Sequence, residues 1–91
     1  MKQLIIIYEF KGYQNNKKSF ESKLRQFKQF AFLTENACII WTNNSVVSVR
    51  DFLITEISAD DKLYVGETAA PAAWTNSIDE RVTEYIRNNL K

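Results

Sequence analysis

Histidine is absent from this 91-residue chain, and Cys38 is its only cysteine. Within one chain, these shortages exclude disulfide frameworks, Cys/His zinc sites, Ser-His-Asp triads and Cys-His dyads. Any catalysis would have to rely on carboxylates, lysine, tyrosine or a bound divalent ion. Cys38 lies in the apolar run ACIIW, which predicts a small buried core residue.

Glycine and proline are also scarce, with two and one residues, while 45% of the chain is hydrophobic and 25% charged. This composition is typical of a globular protein, and the length suits one domain with one core. The longest apolar run, Leu4 to Tyr8, is far shorter than the ~20 residues of a membrane-spanning helix. No signal-peptide pattern opens the chain. We therefore expect a single domain spanning residues 1–91, located in the cytoplasm, with no membrane partner.

The net charge of +1 conceals an uneven distribution along the chain. Residues 1–30 carry seven Lys and Arg against two Glu, a net +5, and residues 31–91 have a net −4. One part of the surface is therefore expected to be basic and another acidic.

The apolar pattern predicts alternating strands and helices. QLIIIYEF is typical of a central strand covered on both faces or nearly so. KGYQNN reads as a loop, and a helical period then extends from about Lys17 to Ala31, with an apolar stripe at Phe20, Leu24, Phe27 and Ala31.

The second part of the chain predicts two further strands and two helices. ACIIWT and KLYVGE are the strands, and FLTE at residues 32–35 is either a short partner strand or a connection. Ser45 is a plausible N-cap of the second helix, and Ser77 with Glu80 has the capping-box spacing for the last one. The expected fold class is α+β, a sandwich with the order β-α-(β)β-α-β and an additional C-terminal helix.

Several short motifs, in order along the chain, resemble the SinR-family small bacterial proteins, relatives of the CRISPR-associated endonucleases of the second Cas family. They are Tyr8-Glu9-Phe10 at the end of the first strand, a strand containing Trp41 and closing on TNNS, a helix with VRDFL, and ADDKLYVGE followed by AAW. The resemblance implies a ferredoxin-like fold and a homodimer built across sheets. In the nuclease relatives, an aspartate at the end of the first strand of each subunit is thought to hold a divalent ion, and Glu9 matches that position.

Glu9 is therefore the candidate catalytic residue and metal ligand, with Mg²⁺ as the cofactor if the protein is active. Glutamate is one methylene longer than aspartate, and Mg²⁺ requires near-ideal octahedral geometry. A solvated carboxylate paired with a nearby lysine is the alternative for Glu9. Glu67 would join Glu9 if their strands were parallel neighbours, whereas Asp60 and Asp61 are either a carboxylate pair or turn residues.

The basic residues of the first third carry the strongest functional signal: Lys11, Lys17, Lys18, Lys23, Arg25 and Lys28. The candidate nucleic-acid contacts among them are Lys11, Lys17, Lys18, Arg25 and Lys28, with Tyr13 as the aromatic for base stacking. On a continuous helix, Lys18, Arg25 and Lys28 share one flank, and Glu21 between them would neutralise part of the charge. A solvated helix face is the alternative for this flank.

Two classes of function follow, and whether the protein is an enzyme stays open. The first is a catalytically weak or inactive relative of the nucleases that binds nucleic acid through its basic first helix, or an active Mg²⁺-dependent endoribonuclease or DNase. The other is a non-catalytic protein-binding module, such as an immunity, antitoxin or phage-encoded inhibitor protein. In that case the acidic second half would meet a basic partner.

Overall fold

The computed structural model of the chain describes residues 1–11, 15–75 and 77–90. Its four strands form one antiparallel sheet in the order β2-β3-β1-β4. The elements in chain order are β1 (Lys2–Glu9), α1 (Asn15–Leu24), β2 (Gln29–Thr34), β3 (Ala37–Thr42), α2 (Val46–Leu53), a short 3₁₀ helix (Ile54–Glu56), β4 (Lys62–Glu67) and α3 (Glu80–Asn89). This α+β arrangement is compatible with a ferredoxin-like fold. No helix in these ranges is long and apolar enough to cross a membrane.

One face of the sheet packs against α1 and α2. Alternate residues of β1 point to this face, and Leu4, Ile6 and Tyr8 are all buried there. They share a core with residues of both helices and of β3: Phe20, Leu24, Cys38, Ile40, Val49 and Leu53. Cys38 is thus confirmed as a core residue, and burial raises the pKa of its thiol to about 12.

The opposite face of the sheet is only partly covered. Ile86 of α3 packs there against Ala31, Ile39 and Trp41. Ile7 of β1 lies on this face but keeps 46% of its surface exposed. β1 is therefore a central strand that is nearly but not fully covered, because α3 packs over β2 and β3 and leaves Ile7 open.

The first helix ends earlier than its apolar pattern predicts. α1 stops at Leu24, and Phe27 donates its amide proton to the Leu24 carbonyl in the turn that follows. Ala31 belongs to β2, where it pairs with Ile39 of β3. The predicted helix to Ala31 is wrong because pairing with β3 outweighs the local helical period. Three residues of the FLTE segment, 32–34, lie in the same strand.

The remaining elements agree with the sequence except at one cap. β3 and β4 match ACIIWT and KLYVGE, and the hydroxyl of Ser45 accepts the Ser48 amide proton at the start of α2. Ser77 is not the cap of α3, because Asp79 occupies that position and accepts the amide proton of Arg81. Asp79 also places a negative charge at the positive end of the helix dipole.

Candidate nucleic-acid interface

Glu9 ends β1 opposite Lys62, the first residue of β4. The Lys62 Nζ lies 3.8 Å from the Glu9 Oε1, and both side chains are well exposed, at 80% and 68%. A surface ion pair of this kind contributes about 0–1 kcal/mol. Glu9 is therefore a solvated carboxylate beside a lysine, which is the alternative to a metal ligand.

Glu67, the second carboxylate that the sequence offered for a metal site with Glu9, is too far from Glu9 to share an ion. β4 runs antiparallel to β1, so Glu67 lies opposite Leu4, roughly 17 Å along the strand from Glu9 at ~3.3 Å per residue. The condition on which Glu67 would join Glu9, a parallel pairing of their strands, is not met. Across the described residues, no group of three or more His, Cys, Asp or Glu side chains could hold a metal ion.

Within one chain, these surroundings do not fit Mg²⁺. The ion usually requires one or two carboxylates besides its waters and phosphates, whereas Glu9 offers one and faces an ammonium group. A second carboxylate would have to come from another copy of the chain. The magnesium expectation thus stays a prediction that depends on a dimer, and no reaction step is derived from it.

Asp61 closes a turn rather than forming an acid pair with Asp60. Its Oδ1 accepts the backbone amide proton of Lys11 and its Oδ2 accepts that of Ser58, both at 2.9 Å. These hydrogen bonds, with Lys11 contributing most, hold the pKa of the Asp61 carboxyl below its usual range. Asp61 therefore attaches Lys11, the second residue after β1 and a predicted nucleic-acid contact, to the start of β4.

The predicted basic contacts form a line rather than a cluster. Lys17 and Lys18 lie in the first half of α1, but Arg25 and Lys28 follow the helix, so their placement on one helical flank with Lys18 is wrong. Gln3 and Gln29 both pair with Trp41, which places Lys28 at the end of the sheet opposite Lys11. β1 alone is roughly 23 Å long at ~3.3 Å per residue. Tyr13 lies outside the described residues.

The side chains in this line are available to a ligand. Lys11, Lys18, Arg25 and Lys28 are exposed and Lys17 is partly exposed. In the part of the chain that the structure describes, no ion pair engages any of the five. Arg25 lies over the Phe32 ring, with its guanidinium carbon 5.0 Å from the ring centroid. We call these five residues the basic line.

Glu21, the acid expected to weaken this charge, is turned towards the core. Its Oε2 accepts the hydroxyl proton of Tyr8 at 3.0 Å. Burial, followed by this hydrogen bond, raises the pKa of Tyr8 above its ordinary value. Because Glu21 is held by Tyr8 and forms no ion pair with a described cation, it neutralises the basic line less than its sequence position indicates.

Lys23 differs from the other cations of α1 because it has a structural role. Its Nζ donates to the Phe52 carbonyl at 2.9 Å and to the Thr55 hydroxyl at 2.6 Å. The same ammonium lies 3.5 Å from Glu56 and 4.8 Å from the centroid of the Phe52 ring. Lys23 therefore ties α1 to the end of α2 and is not free to bind a phosphate.

A groove beside Lys28 is a feature that the sequence analysis missed. It has a volume of about 330 Å³ and is lined by Gln26, Phe27, Asn44, Ser48, Val49 and Phe52. The apolar pattern predicted that Phe27 lies within a helix that continues to Ala31. Its contact with Phe52 of α2 was therefore not predicted from the sequence. A larger cavity of about 480 Å³ lies between residues 72–75 and α3. The Trp74 indole donates a hydrogen bond to the Thr83 hydroxyl there, and Arg87 is the one cation among the described residues that line the cavity.

Comparison with known proteins provides no family for this chain. No family model matches the sequence, and neither does any curated protein. The function is therefore inferred from the side chains described above, with the likeness to SinR-family proteins as an expectation from sequence motifs.

Proposed function

We propose that this protein binds nucleic acid as a homodimer with a ferredoxin-like fold, and that it is a catalytically weak or inactive relative of the CRISPR-associated endonucleases. The order β-α-β-β-α-β before α3, in one antiparallel sheet, supports that fold. Phosphate groups bind the basic line, which follows α1 from Lys11 to Lys28. The sequence of the nucleic acid is not read by these contacts.

The observation that carries this proposal is the set of cations that form no ion pair with any described carboxylate. A lysine or arginine that already pairs with a carboxylate must lose that pair to bind a phosphate, and Lys23 and Arg50 are engaged in this way. The basic line has no such pair among the described residues. Its members can therefore neutralise phosphates and release condensed counterions, which drives association at low salt.

The acidic second half gives less support to the alternative, a surface for a basic protein partner. Four of the nine acids in residues 31–91 have intramolecular roles. Asp51 pairs with Arg50, Glu56 with Lys23, Asp61 binds two amide protons, and Asp79 caps α3. A basic partner would have to compete with these contacts.

Weak or absent catalysis is supported by the surroundings of Glu9. The ammonium of Lys62 competes with any cation for the Glu9 carboxylate. Phosphoryl transfer at a metal site depends on holding the ion so that it stabilises both the attacking and the leaving oxygen. One exposed carboxylate on a lysine-paired strand end lacks that rigidity.

The test is the salt dependence of binding to a short duplex of mixed sequence. We expect log Kd of the parent protein to rise steeply with log salt, and Lys18/Arg25/Lys28→Ala to reduce that slope by roughly two to three, at ~0.7–0.9 per phosphate contact. Fluorescence anisotropy from 20 to 200 mM salt measures both. The control, Arg50/Arg81/Arg87→Ala, removes the same charge elsewhere and should keep the parent's slope.

Two results would contradict the proposal in different parts. Absence of binding at the lowest salt would contradict the nucleic-acid function. Equal losses of duplex affinity and salt slope in the two triple variants would contradict it too. Cleavage of RNA or DNA that requires Mg²⁺ and disappears in Glu9→Gln would show an active nuclease instead of an inactive relative.

A further inference from the structure

The groove beside Lys28 combines three kinds of chemistry. Phe27 and Phe52 form an aromatic wall, with ring centroids 5.9 Å apart and planes at 90°. Phe52 lines the groove and keeps 37% of its surface exposed. We call this feature the Phe27–Phe52 groove.

Amide groups form the polar part of the groove. The side chains of Gln26 and Asn44 line it and are exposed, and neither amide makes a side-chain hydrogen bond within the described ranges. A carboxamide both donates and accepts, so it matches the mixed donor and acceptor edge of a nucleobase. These two side chains are therefore free to bind a polar ligand edge while the phenyl rings contact its face.

A cation lies at the mouth of the groove. A second cavity of about 360 Å³ shares Gln26, Phe27 and Asn44 with the groove and adds Lys28 to its lining. Lys28 belongs to the basic line, and Arg25 precedes the groove residue Gln26 in the same turn. An apolar, amide-lined cavity thus continues directly into the surface proposed to bind phosphates.

We propose that the Phe27–Phe52 groove binds an unpaired base of single-stranded nucleic acid, while Lys28 contacts the adjacent phosphate. This inference rests on the proposed function and adds to it a preference for single strands. Bases inside a duplex are stacked on both faces and cannot enter a cavity, whereas unpaired bases stack readily on aromatic side chains. A volume of about 330 Å³ lies within the usual range of ~300–1,000 Å³ for small-molecule sites.

The ligand class follows from the combination of groups rather than from any one of them. Ser48 and the two amides exclude a purely apolar occupant, since they would lose water without gaining a hydrogen bond. The neighbouring Lys28 favours an anionic group beside the ring system. A nucleotide within a strand supplies a flat aromatic base, a polar edge and a phosphate.

The experiment measures affinity for three labelled probes at low salt: an octamer of uridine ribonucleotides, an octamer of thymidine deoxyribonucleotides and a mixed-sequence duplex. We expect the parent to bind at least one octamer more tightly than the duplex. Phe52→Leu should weaken the preferred octamer at least about fivefold, because base stacking on an aromatic contributes ~1–3 kcal/mol. Asn44→Ala should weaken it about two- to tenfold, the usual range for one hydrogen bond.

Controls separate a lost contact from a lost fold. Asn88→Ala makes the same chemical change on exposed α3 and should leave every affinity unchanged. Phe52→Leu keeps an apolar side chain against Phe27, and thermal melting monitors its fold. Duplex affinity, which depends on phosphates, should be the same in Phe52→Leu, Asn44→Ala and the parent.

Failure of the inference and failure of the proposed function give different results. If Phe52→Leu and Asn44→Ala bind the octamers like the parent while Lys18/Arg25/Lys28→Ala does not, the groove is not a base site and the basic line still binds nucleic acid. If Phe52→Leu and Asn44→Ala lose as much affinity for the duplex as for the octamers, the groove proposal is also overturned. No binding to any probe would overturn both proposals.

Discussion

Asp61 and Glu9 are two carboxylates at one end of the sheet, and their surroundings give them different roles. Glu9 has one exposed ammonium beside it, whereas each oxygen of Asp61 accepts a backbone amide proton. The resemblance to SinR-family proteins favoured a function for Glu9 at the end of the first strand, and the position of Asp61 in SADDK favoured a turn. The structure confirms the second interpretation, and the first stays a prediction.

Asp61 gives a pH-dependent prediction at the residue scale. Its folded pKa lies below the ordinary value, so its contribution to stability is present above about pH 4 and is lost as the pH falls through the folded pKa. Asp61→Asn should therefore lower the free energy of unfolding at pH 7, with a smaller loss at pH 3. The side-chain amide of asparagine accepts hydrogen bonds only through its oxygen, so the substitution removes one of the two bonds from the backbone amides of Lys11 and Ser58.

Urea unfolding followed by circular dichroism at pH 7, 5 and 3 measures this difference. Asp60→Asn is the matched control, since Asp60 is the exposed neighbour and accepts no hydrogen bond from the described residues. A loss of stability that is the same in both variants, or that grows as the pH falls, would argue against the Asp61 hydrogen bonds as its cause.

At the scale of elements, the local capping patterns were only partly reliable. Ser45 caps α2 as its sequence position indicates, but α3 begins at Glu80 after the Asp79 cap, two residues beyond the predicted Ser77. Both Ser77 and Asp79 are suitable N-cap residues. The packing of Val82, Tyr85 and Ile86 on the sheet sets the helix position, and the nearest suitable side chain then caps it.

This assignment predicts unequal effects for two similar substitutions. Asp79→Ala should lower the free energy of unfolding by about 1 kcal/mol, because it removes the acceptor for the Arg81 amide and the charge at the helix start. Ser77→Ala should change it by less than about 0.5 kcal/mol, as is usual for surface positions without a special role. Chemical denaturation at neutral pH compares them, and a larger effect for Ser77→Ala would place the cap at Ser77 after all.

At the scale of the whole molecule, the open part of the sheet is the feature that supports a dimer. Ile7 and Tyr64 face each other across β1 and β4, with 46% and 60% of their surfaces exposed. Tyr64 also lies across Gly66, where a Cβ atom would come within 2.8 Å of the ring. Glycine therefore lets the ring lie along the strand and widens a flat apolar surface of the kind that interfaces use.

We expect this surface to join two copies of the chain, and Tyr64→Lys to separate them. The substitution places a charge in the centre of the apolar surface, where burial without a partner is costly. Sedimentation equilibrium at micromolar concentration measures the mass. Val47→Lys is the control, because Val47 is an apolar residue of α2 that is 53% exposed. A parent that sediments as a monomer, or a Tyr64→Lys variant that stays dimeric, would contradict this interface.

The features that the sequence determined by itself are the local ones. The positions of β3, β4 and the Ser45 cap follow from periodicity and side-chain chemistry within a few residues, and the apolar run around Cys38 predicts its burial. The end of α1, the pairing of β2 and the antiparallel direction of β4 were decided by the tertiary structure. Strand pairing joins segments that are distant in sequence, so its energy overrides a local pattern that is equally compatible with a helix. For the same reason Glu9 faces Lys62 rather than Glu67. Phe27 likewise contacts Phe52 in the wall of a groove, and no sequence motif predicts that contact.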